Sequence, residues 1–389
     1  MSISWGNRDV RVYAAEAWVS LAPRFAAEYP IIIEHFEAIL ADPVPAVRLQ
    51  VAQNLQVICV AAPERMWAMG ERTATQETDI GILASYLNRS MRRFSHSDTE
   101  RCEAVLSIVK GRLDDGLGLD HQGHDLLQES LGGWMAQLFA GQGRVLARTW
   151  LEGWATDPER YGDLLNSFTS SLRKAFFHRY DPTAEAEACA MCDRSQEGLA
   201  LILTSATTIS AGAYSVLASD PAEADKQAAR QRYSAAEKVV HHAMNQLYFG
   251  SGAHAGSPEG VAGLPNPAAM TRFLSDYAAI LALLASAREP ATLYHLIELY
   301  EFLIPGDPVI VFEAIHAILL GRGEEEGFHY ESLGNDSVVR IVQRYISDYR
   351  SIFENDGRRT MLVAILQLFS EAGWPDALKL LYDLPDLLR

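Results

Sequence analysis

The sequence has few of the residues that mark several large classes of protein. Cysteine occurs only four times in 389 residues, at spacings that do not fit a small disulfide-rich secreted fold. Lysine and arginine total 33 against 50 acidic residues, and the resulting net charge of -17 disfavours general binding to a phosphate backbone. The first residues show no basic segment followed by an apolar stretch, so we expect an acidic, cytoplasmic protein.

Signatures of common enzymes are also missing. None of the glycine-rich pieces continues into Gly-Lys-Ser or Gly-Lys-Thr, as a phosphate-binding loop would. Neither Gly-x-Ser-x-Gly nor His-Glu-x-x-His occurs, although these patterns mark common hydrolases and zinc proteases. We therefore predict a non-catalytic protein with no catalytic residue, cofactor or metal ligand.

Two groups of metal-binding residue types have a structural interpretation. Cys189 and Cys192 lie three residues apart in an alanine-rich stretch, where a helix would use them as small core residues. Zinc would require two more ligands, which the His-Gln-Gly-His segment at 121–124 could supply, so metal binding by the cysteines stays open. His241 and His242 are adjacent, and a helix would direct them to different faces rather than to one metal ion.

One uncharged run is long enough to span a bilayer. Residues 198–219 contain no charged side chain. Serine, threonine and glycine reduce the apolarity of the run, and no cluster of lysine or arginine borders it. We interpret it as a buried central helix in which small residues permit close packing, and we predict no membrane segment.

A short internal similarity indicates a repeat of helices. Residues 9–22 superpose on residues 46–59 with a shift of 37 positions. The matched pairs are Val10 with Val47, Arg11 with Arg48, Ala15 with Ala52, Trp18 with Leu55, and Leu21 with Ile58. Apolar residues in the second copy are spaced by three and four positions, which predicts one buried stripe on a helix. A preceding apolar stripe from Ile32 to Leu40 predicts a helix, a tight turn and a second helix within residues 30–61.

The segment that joins these two helices resembles a known repeat. Residues 39–48 read Ile-Leu-Ala-Asp-Pro-Val-Pro-Ala-Val-Arg, which is similar to the turn and second-helix start of a HEAT repeat. The resemblance implies that Asp42 caps the second helix, that Pro43 fills its first turn and that Val47 enters the core. It further implies an all-α fold, an α-solenoid of antiparallel helix pairs.

Further along the chain, the same kind of helix start recurs. Asp-Pro occurs at 157–158, 181–182, 220–221 and 307–308, each time before a run that can be helical. Aspartate accepts a backbone N–H at a helix start, and proline at the first helical position gives up no donor that the helix needs. Apolar spacing also predicts a helix pair at 291–304 and 308–320, and another helix near 336–353.

A long glycine- and proline-rich segment suggests how the chain is divided. We predict a HEAT-like array at 1–248, a loop at 249–267 and a C-terminal helical array at 268–389. Residues 9–22 already look like the second helix of a repeat, whereas terminal repeats usually carry a polar capping face. We therefore expect this chain to belong to a larger polypeptide or to be covered at its start by another chain.

These features favour a scaffold that binds a protein partner, which the sequence does not identify. Stacked helix pairs create an extended surface for such binding. The chain also resembles the helical-repeat sensing or assembly region of large bacterial multidomain proteins, such as NTPases used in defence or signalling.

The alternative is nucleic-acid binding, because some HEAT-like proteins, including a group of DNA glycosylases, hold DNA in a basic concave channel. Two local basic segments would provide the contacts with a partner or with nucleic acid, although charged helical surfaces often serve only solvation. The residues concerned are Arg89, Arg92, Arg93, Arg173, Lys174 and Arg179.

Overall fold

The described part of the chain is all-α. The computed structural model describes residues 10–117, 124–219, 222–254 and 263–387, and these residues contain no strand. The all-α class predicted from the sequence is therefore confirmed.

The described residues form helices of very different lengths. The first half contains α1 (Val10–Phe25), α2 (Ile31–Ile39), α3 (Pro45–Ala52), α4 (Pro63–Gln76), α5 (Ile80–Ser85), α6 (Thr99–Asp114), α7 (His124–Ala136), α8 (Val145–Ala155), α9 (Pro158–Ser171) and α10 (Ala186–Ala218). The second half contains α11 (Glu223–Ser251), α12 (Pro267–Asp276), α13 (Ala278–Ala285), α14 (Pro290–Leu303), α15 (Pro308–Leu319), α16 (Arg322–Glu325), α17 (Ser332–Asp348), α18 (Asp356–Glu371) and α19 (Pro375–Leu387).

Short helical segments of other types connect several of these helices. The 3₁₀ segments are Leu55–Ile58, Met91–Phe94, Ala175–Tyr180, Phe328–Tyr330 and Arg350–Glu354. The π-helical segments are Tyr86–Ser90 and Gln137–Gly141. The second copy of the internal similarity is thus a short α-helix followed by a 3₁₀ turn, whereas the first copy is one continuous helix.

Contacts divide the chain into two compact units, Met1–Gly133 and Trp134–Arg389. Helices α1–α6 lie in the first unit, α8–α19 lie in the second, and α7 crosses the division. Both helices that flank the predicted 249–267 loop belong to the second unit, so the compact units do not coincide with the sequence-based division at that loop.

The core of the first unit includes the contact between α1 and α3. Val12 and Ala15 of α1 pack with Val47 of α3, and all three side chains are at least 92% buried. Val47 therefore enters the core as the repeat resemblance implies. The matched residue Val10 does not, since 79% of its surface is exposed. The two copies therefore share some buried positions, such as Ala15 and Ala52, but not all of them.

Arg48 connects three parts of the first unit. Its guanidinium donates to the backbone carbonyl of Asp42 at 2.9 Å, and it donates to both carboxylate oxygens of Glu77 at 2.8 Å. Arg11 also approaches Asp42, at 3.3 Å. These contacts link α1, the turn between α2 and α3, and the segment before α5.

Asp-Pro pairs begin helices at only some of the predicted positions. Asp157 and Asp307 accept backbone N–H groups at the starts of α9 and α15, with proline in the first turn of each helix. Asp42 instead bonds to the N–H of Val44, and Pro45 rather than Pro43 occupies the first turn of α3. The Asp181 pair begins no helix, because Asp181 bonds to Thr183 and α10 starts later. The pair at 220–221 lies outside the described residues.

A pair of long helices, α10 and α11, forms the centre of the second unit. They pack on each other, α10 also contacts α8 and α13, and α11 contacts α9 and α14. Leu199 and Leu203 are fully buried, but residues 211–219 of the uncharged run are mostly exposed, so the prediction of a buried helix holds only for its first part. Length and composition make α10 a candidate membrane span, as they do for the bent α12–α13 pair taken together.

The apolar stripes predicted for α14 and α15 are confirmed. The buried positions are Leu293, Leu296, Ile297, Tyr300 and Leu303 in α14, and Val311, Phe312, Ile315, Ile318 and Leu319 in α15.

A buried carboxylate also holds the start of α14, because Glu237 of α11 accepts the backbone N–H groups of Arg288 and Glu289 at 3.2 and 3.1 Å. The negative charge therefore lies where the dipole of α14 favours it.

Candidate interaction surfaces

Helix α1 exposes a stripe of apolar side chains on the face that does not pack on α3. Val10, Tyr13 and Leu21 are 79%, 58% and 42% exposed, and Ala17 lies between them on the same face. Their spacing of three and four residues places them along one side of the helix. We call these four residues the α1 surface.

Two more exposed apolar side chains follow α1 in the first unit. Tyr29 ends the connection to α2 and is 55% exposed, while Ile31 begins α2 and is 50% exposed. The ring of Phe25 meets that of Tyr29 edge to face, with centroids 6.4 Å apart. Exposed apolar residues are common singly, but several on consecutive elements are typical of an interaction site.

Helix α19 exposes a second apolar stripe, in the second unit. Leu378 and Tyr382 are 54% and 86% exposed, and the exposed prolines Pro375 and Pro385 extend the same face. The opposite side packs inward through Ala377 and Leu384. We call Pro375, Leu378, Tyr382 and Pro385 the α19 surface. A nearly fully exposed tyrosine beside leucine provides the amphipathic contact area found at the centres of protein interfaces.

Neither surface was predicted from the sequence, although a signal was present. Both helices carry apolar residues on more than one face, and such a helix is normally buried all round. Spacing shows that a face is apolar, but it does not show whether the rest of the chain covers that face. The sequence-based prediction placed the contact residues in the basic segments instead.

The first basic segment lies in the first unit, on the π-helical segment and on the 3₁₀ segment that follows it. Arg89 lies in the π-helical segment and donates to Gln53 at 3.0 Å. Arg92 and Arg93 are exposed on the following 3₁₀ segment, next to the buried side chain of Met91. The three arginines are close in sequence, and Arg89 already binds a neighbouring amide.

The second basic segment lies in the second unit and is largely engaged within it. Arg173 donates to Gln246 at 2.7 Å, and its guanidinium lies 5.8 Å from the ring centroid of Phe249. Arg179 forms ion pairs with Asp193 and Asp276, and only 14% of its side chain is exposed. Lys174 is exposed. Arg179 therefore serves the interior of the unit rather than an open cationic face.

The cysteine pair belongs to α10. Cys192 is fully buried, with its sulfur 3.3 Å from the backbone oxygen of Phe176, whereas Cys189 is partly exposed. No group of three or more histidine, cysteine, aspartate or glutamate residues within the described ranges could hold a metal ion. The 121–123 part of the proposed ligand segment lies outside the described residues, as does the side chain of His124.

His241 and His242 point to different faces of α11, as predicted. His241 Nδ1 lies 3.1 Å from the hydroxyl of Thr292 in α14. His242 instead faces α9, where it contacts the backbone of Asn166. Burial lowers the pKa of both imidazoles. The pair therefore contributes to two separate helix contacts.

A cluster of aromatic and titratable side chains in the described second unit lies between α11 and α14. The rings of Tyr248 and His295 stack with centroids 4.7 Å apart and planes inclined by 7°. The ring of His241 stacks on His295 at 5.6 Å. His254 meets Tyr248 and Phe249 edge to face, at 5.8 and 5.1 Å. Sequence reasoning missed this cluster because its members come from segments about 50 residues apart.

Within the described residues the protein is all-α, α1 and α19 each expose an apolar face, and the residues of the basic segments are mostly engaged. Comparisons with protein-family models, curated proteins and solved structures yield no match for the chain.

Proposed function

We propose that this protein is a non-catalytic scaffold or assembly module that binds other proteins through the α1 and α19 surfaces. The observation that carries the proposal is the exposure of Tyr13 and Leu21 on α1 and of Leu378 and Tyr382 on α19, each set in helical register. Tyrosine and leucine on a preformed helix lose little conformational freedom on binding, and they remove apolar area from water.

A HEAT-like solenoid is the fold proposed for this scaffold. Support comes from consecutive helices that pack on each other, such as α14 on α15 and α18 on α19, and from the Val47 side chain, which is buried as the repeat resemblance implies. In such folds each helix pair buries its apolar face against its neighbours, and exposed helix faces are available to partners. A role in sensing or assembly within a larger bacterial system accords with this arrangement.

Nucleic-acid binding is the less favoured function. Arg89, Arg173 and Arg179 already donate to neighbouring amide or carboxylate groups. A phosphate would have to compete with those partners, against a net charge of -17. A protein that binds the apolar surfaces has no such partners to displace, since the side chains of these surfaces face solvent.

The test is affinity capture from native cell extract, with nuclease treatment, in which surface variants are compared with the wild type. One variant carries Tyr13→Ser and Leu21→Ser, and another carries Leu378→Ser and Tyr382→Ser. Loss of a hot-spot residue that is buried in the complex costs about 2 kcal/mol or more of binding free energy. Each pair of substitutions should therefore weaken binding of the partner at least roughly thirtyfold.

Matched controls replace exposed valines outside the two surfaces. Val60 is 92% exposed and Val145 is 76% exposed, so Val60→Ser and Val145→Ser test exposed apolar residues of the first and second unit respectively. Partners that survive nuclease, persist in both controls and are lost with a surface variant support the proposal. Partners that disappear with nuclease in every variant would instead favour nucleic-acid binding.

A further inference from the structure

The rings between α11 and α14 stack in one continuous column. Tyr248 and His241 of α11 lie on either side of His295 of α14, with centroid distances of 4.7 and 5.6 Å and interplanar angles of 7° and 23°. His295 is thus enclosed between a phenol and another imidazole. Side-chain stacking across this contact contributes directly to the packing of the two helices.

Each imidazole also has a polar partner at its Nδ1 atom. His295 donates from Nδ1 to the amide oxygen of Asn245 at 2.6 Å. Nδ1 of His241 lies 3.1 Å from the Thr292 hydroxyl, which is fully buried. Burial lowers the pKa of both histidines, and for His295 the neighbouring His241 and His254 add to the effect.

Charged and titratable groups surround the column on the packed elements. Glu289, at the start of α14, and Glu298, further along it, favour protonation of His241 and His295 respectively. Glu298 is already occupied, because it accepts the hydroxyls of Tyr248 and Tyr294 at 2.6 and 2.7 Å. Arg340 of α17 pairs with Glu298 and Glu301. His254, after α11, is also close to His295. On the other side of α11, His242 has Arg173 and Lys238 near it.

We propose that the Tyr248, His295 and His241 column is an acid-sensitive joint between α11 and α14. Above about pH 6.5, the ordinary titration range of histidine, the two imidazoles are neutral and stack. As the pH falls further, a proton on each ring would place two positive charges face to face in a half-buried site, where Glu298 is already bound to two tyrosines and an arginine. The contact then opens, because the open form solvates both charges.

The joint does not depend on the proposed scaffold function, since it lies within the described second unit and involves neither the α1 nor the α19 surface. Its consequence would be a change in the packing of α14 on α11 with pH. Proton linkage gives the size of the effect. Each histidine that takes up a proton on opening raises the equilibrium constant for opening by up to about tenfold per pH unit below its unfolded pKa.

Hydrogen exchange of the full-length protein tests the joint. Backbone exchange of α11 and α14 would be measured by mass spectrometry at pH 7.5 and 5.5, with correction for the intrinsic pH dependence of exchange. We expect opening of these helices to increase by up to about tenfold for each of the two histidines in the wild type, hence by more than about tenfold in all. In the double variant H241Q and H295F the increase in α14 should be less than about threefold, because neither replacement titrates, phenylalanine keeps the ring stack, and His242 faces α9 instead.

Two further variants separate this joint from a general loss of stability. His316→Gln removes another histidine of lowered pKa, on α15 and outside the column, and should leave the pH response of α11 and α14 unchanged. The single variant His295→Phe covers failure of the double variant to fold, and should reduce the response by about tenfold. An equal pH response in the wild type and in a folded column variant would overturn the proposal.

Discussion

At the scale of single residues, close packing makes some positions intolerant of even one added carbon. Gly250, in the last turn of α11, approaches Gly263, which precedes α12, and the N–H of Gly263 donates to the carbonyl of Gly250 at 3.1 Å. A Cβ atom on either glycine would overlap the ring of Phe177. Both glycines therefore pack against one aromatic side chain.

Substitution of alanine for Gly263 should destabilise the protein by about 2 kcal/mol, because the added carbon would overlap both Phe177 and the Gly250 backbone. Gly212→Ala is the matched control, since a Cβ there meets nothing within 4 Å in the interior of α10. The control should stabilise the protein by up to about 1 kcal/mol through helix propensity. Urea unfolding measures both changes, and similar effects at the two positions would contradict this packing.

Residue patterns predicted some of these environments and not others. The apolar spacing in α14 predicted its buried stripe because burial on one helix face follows a local period. Stacking of His241 on His295 was not predictable, because 54 positions separate them and no local pattern records which helices meet. Asp181 shows a similar limit: the Asp-Pro pair provides a cap, but the following residues decide whether a helix starts there.

At the scale of secondary-structure elements, one ion pair connects α3 with the segment before α5. Arg48 and Glu77 form two hydrogen bonds of 2.8 Å, and only 15% and 6% of their side chains are exposed. Burial alone would raise the pKa of Glu77, but the bonds from Arg48 and from the N–H groups of Asp79 and Thr78 hold that pKa below its ordinary value. The carboxylate therefore depends on its partner to stay ionised.

The variant Arg48→Met should lower the free energy of unfolding by about 3 kcal/mol, because it leaves a buried carboxylate without its cation. The control is Arg65→Met, which breaks a pair with Glu37 whose members are about 40% exposed. Such a pair is worth less than about 1 kcal/mol. Urea unfolding at neutral pH compares the two variants, and equal losses would show that Arg48 does not hold these elements together.

The exposed stripes show what an element's sequence leaves undecided. Helix α1 was predicted from its similarity to residues 46–59, and it does form, with Ala15 as deeply buried as Ala52. The matched positions Leu21 and Ile58 nevertheless differ, at 42% and 0% exposure. A periodic pattern specifies that a helix has an apolar face, whereas the neighbouring helices determine whether that face is covered.

At the scale of the whole molecule, histidines make the stability depend on pH. Burial lowers the pKa of His178, His241, His242, His295 and His316. The unfolded chain therefore binds more protons than the folded one in mildly acidic solution, so their contribution to stability is complete above pH 6.5 and falls as the pH decreases.

We expect the free energy of unfolding to be lower at pH 5.5 than at pH 7.5, by up to about 1.4 kcal/mol per pH unit below 6.5 for each such histidine. Urea unfolding at both pH values measures the difference. Stability that is unchanged or higher at pH 5.5 would show that these imidazoles are not buried in their neutral form.

The proposed scaffold function depends on whether the apolar surfaces meet other proteins. The most direct measurement is photo-crosslinking in native extract, with a photoreactive phenylalanine analogue placed at position 13, 382 or 330 in turn. Tyr330 is the control position, because it is 68% exposed in the second unit but lies outside the α19 surface. Defined protein adducts that survive nuclease at 13 or 382, and are absent at 330, are the predicted result. Equal labelling at all three positions, or none at 13 and 382, would contradict the account.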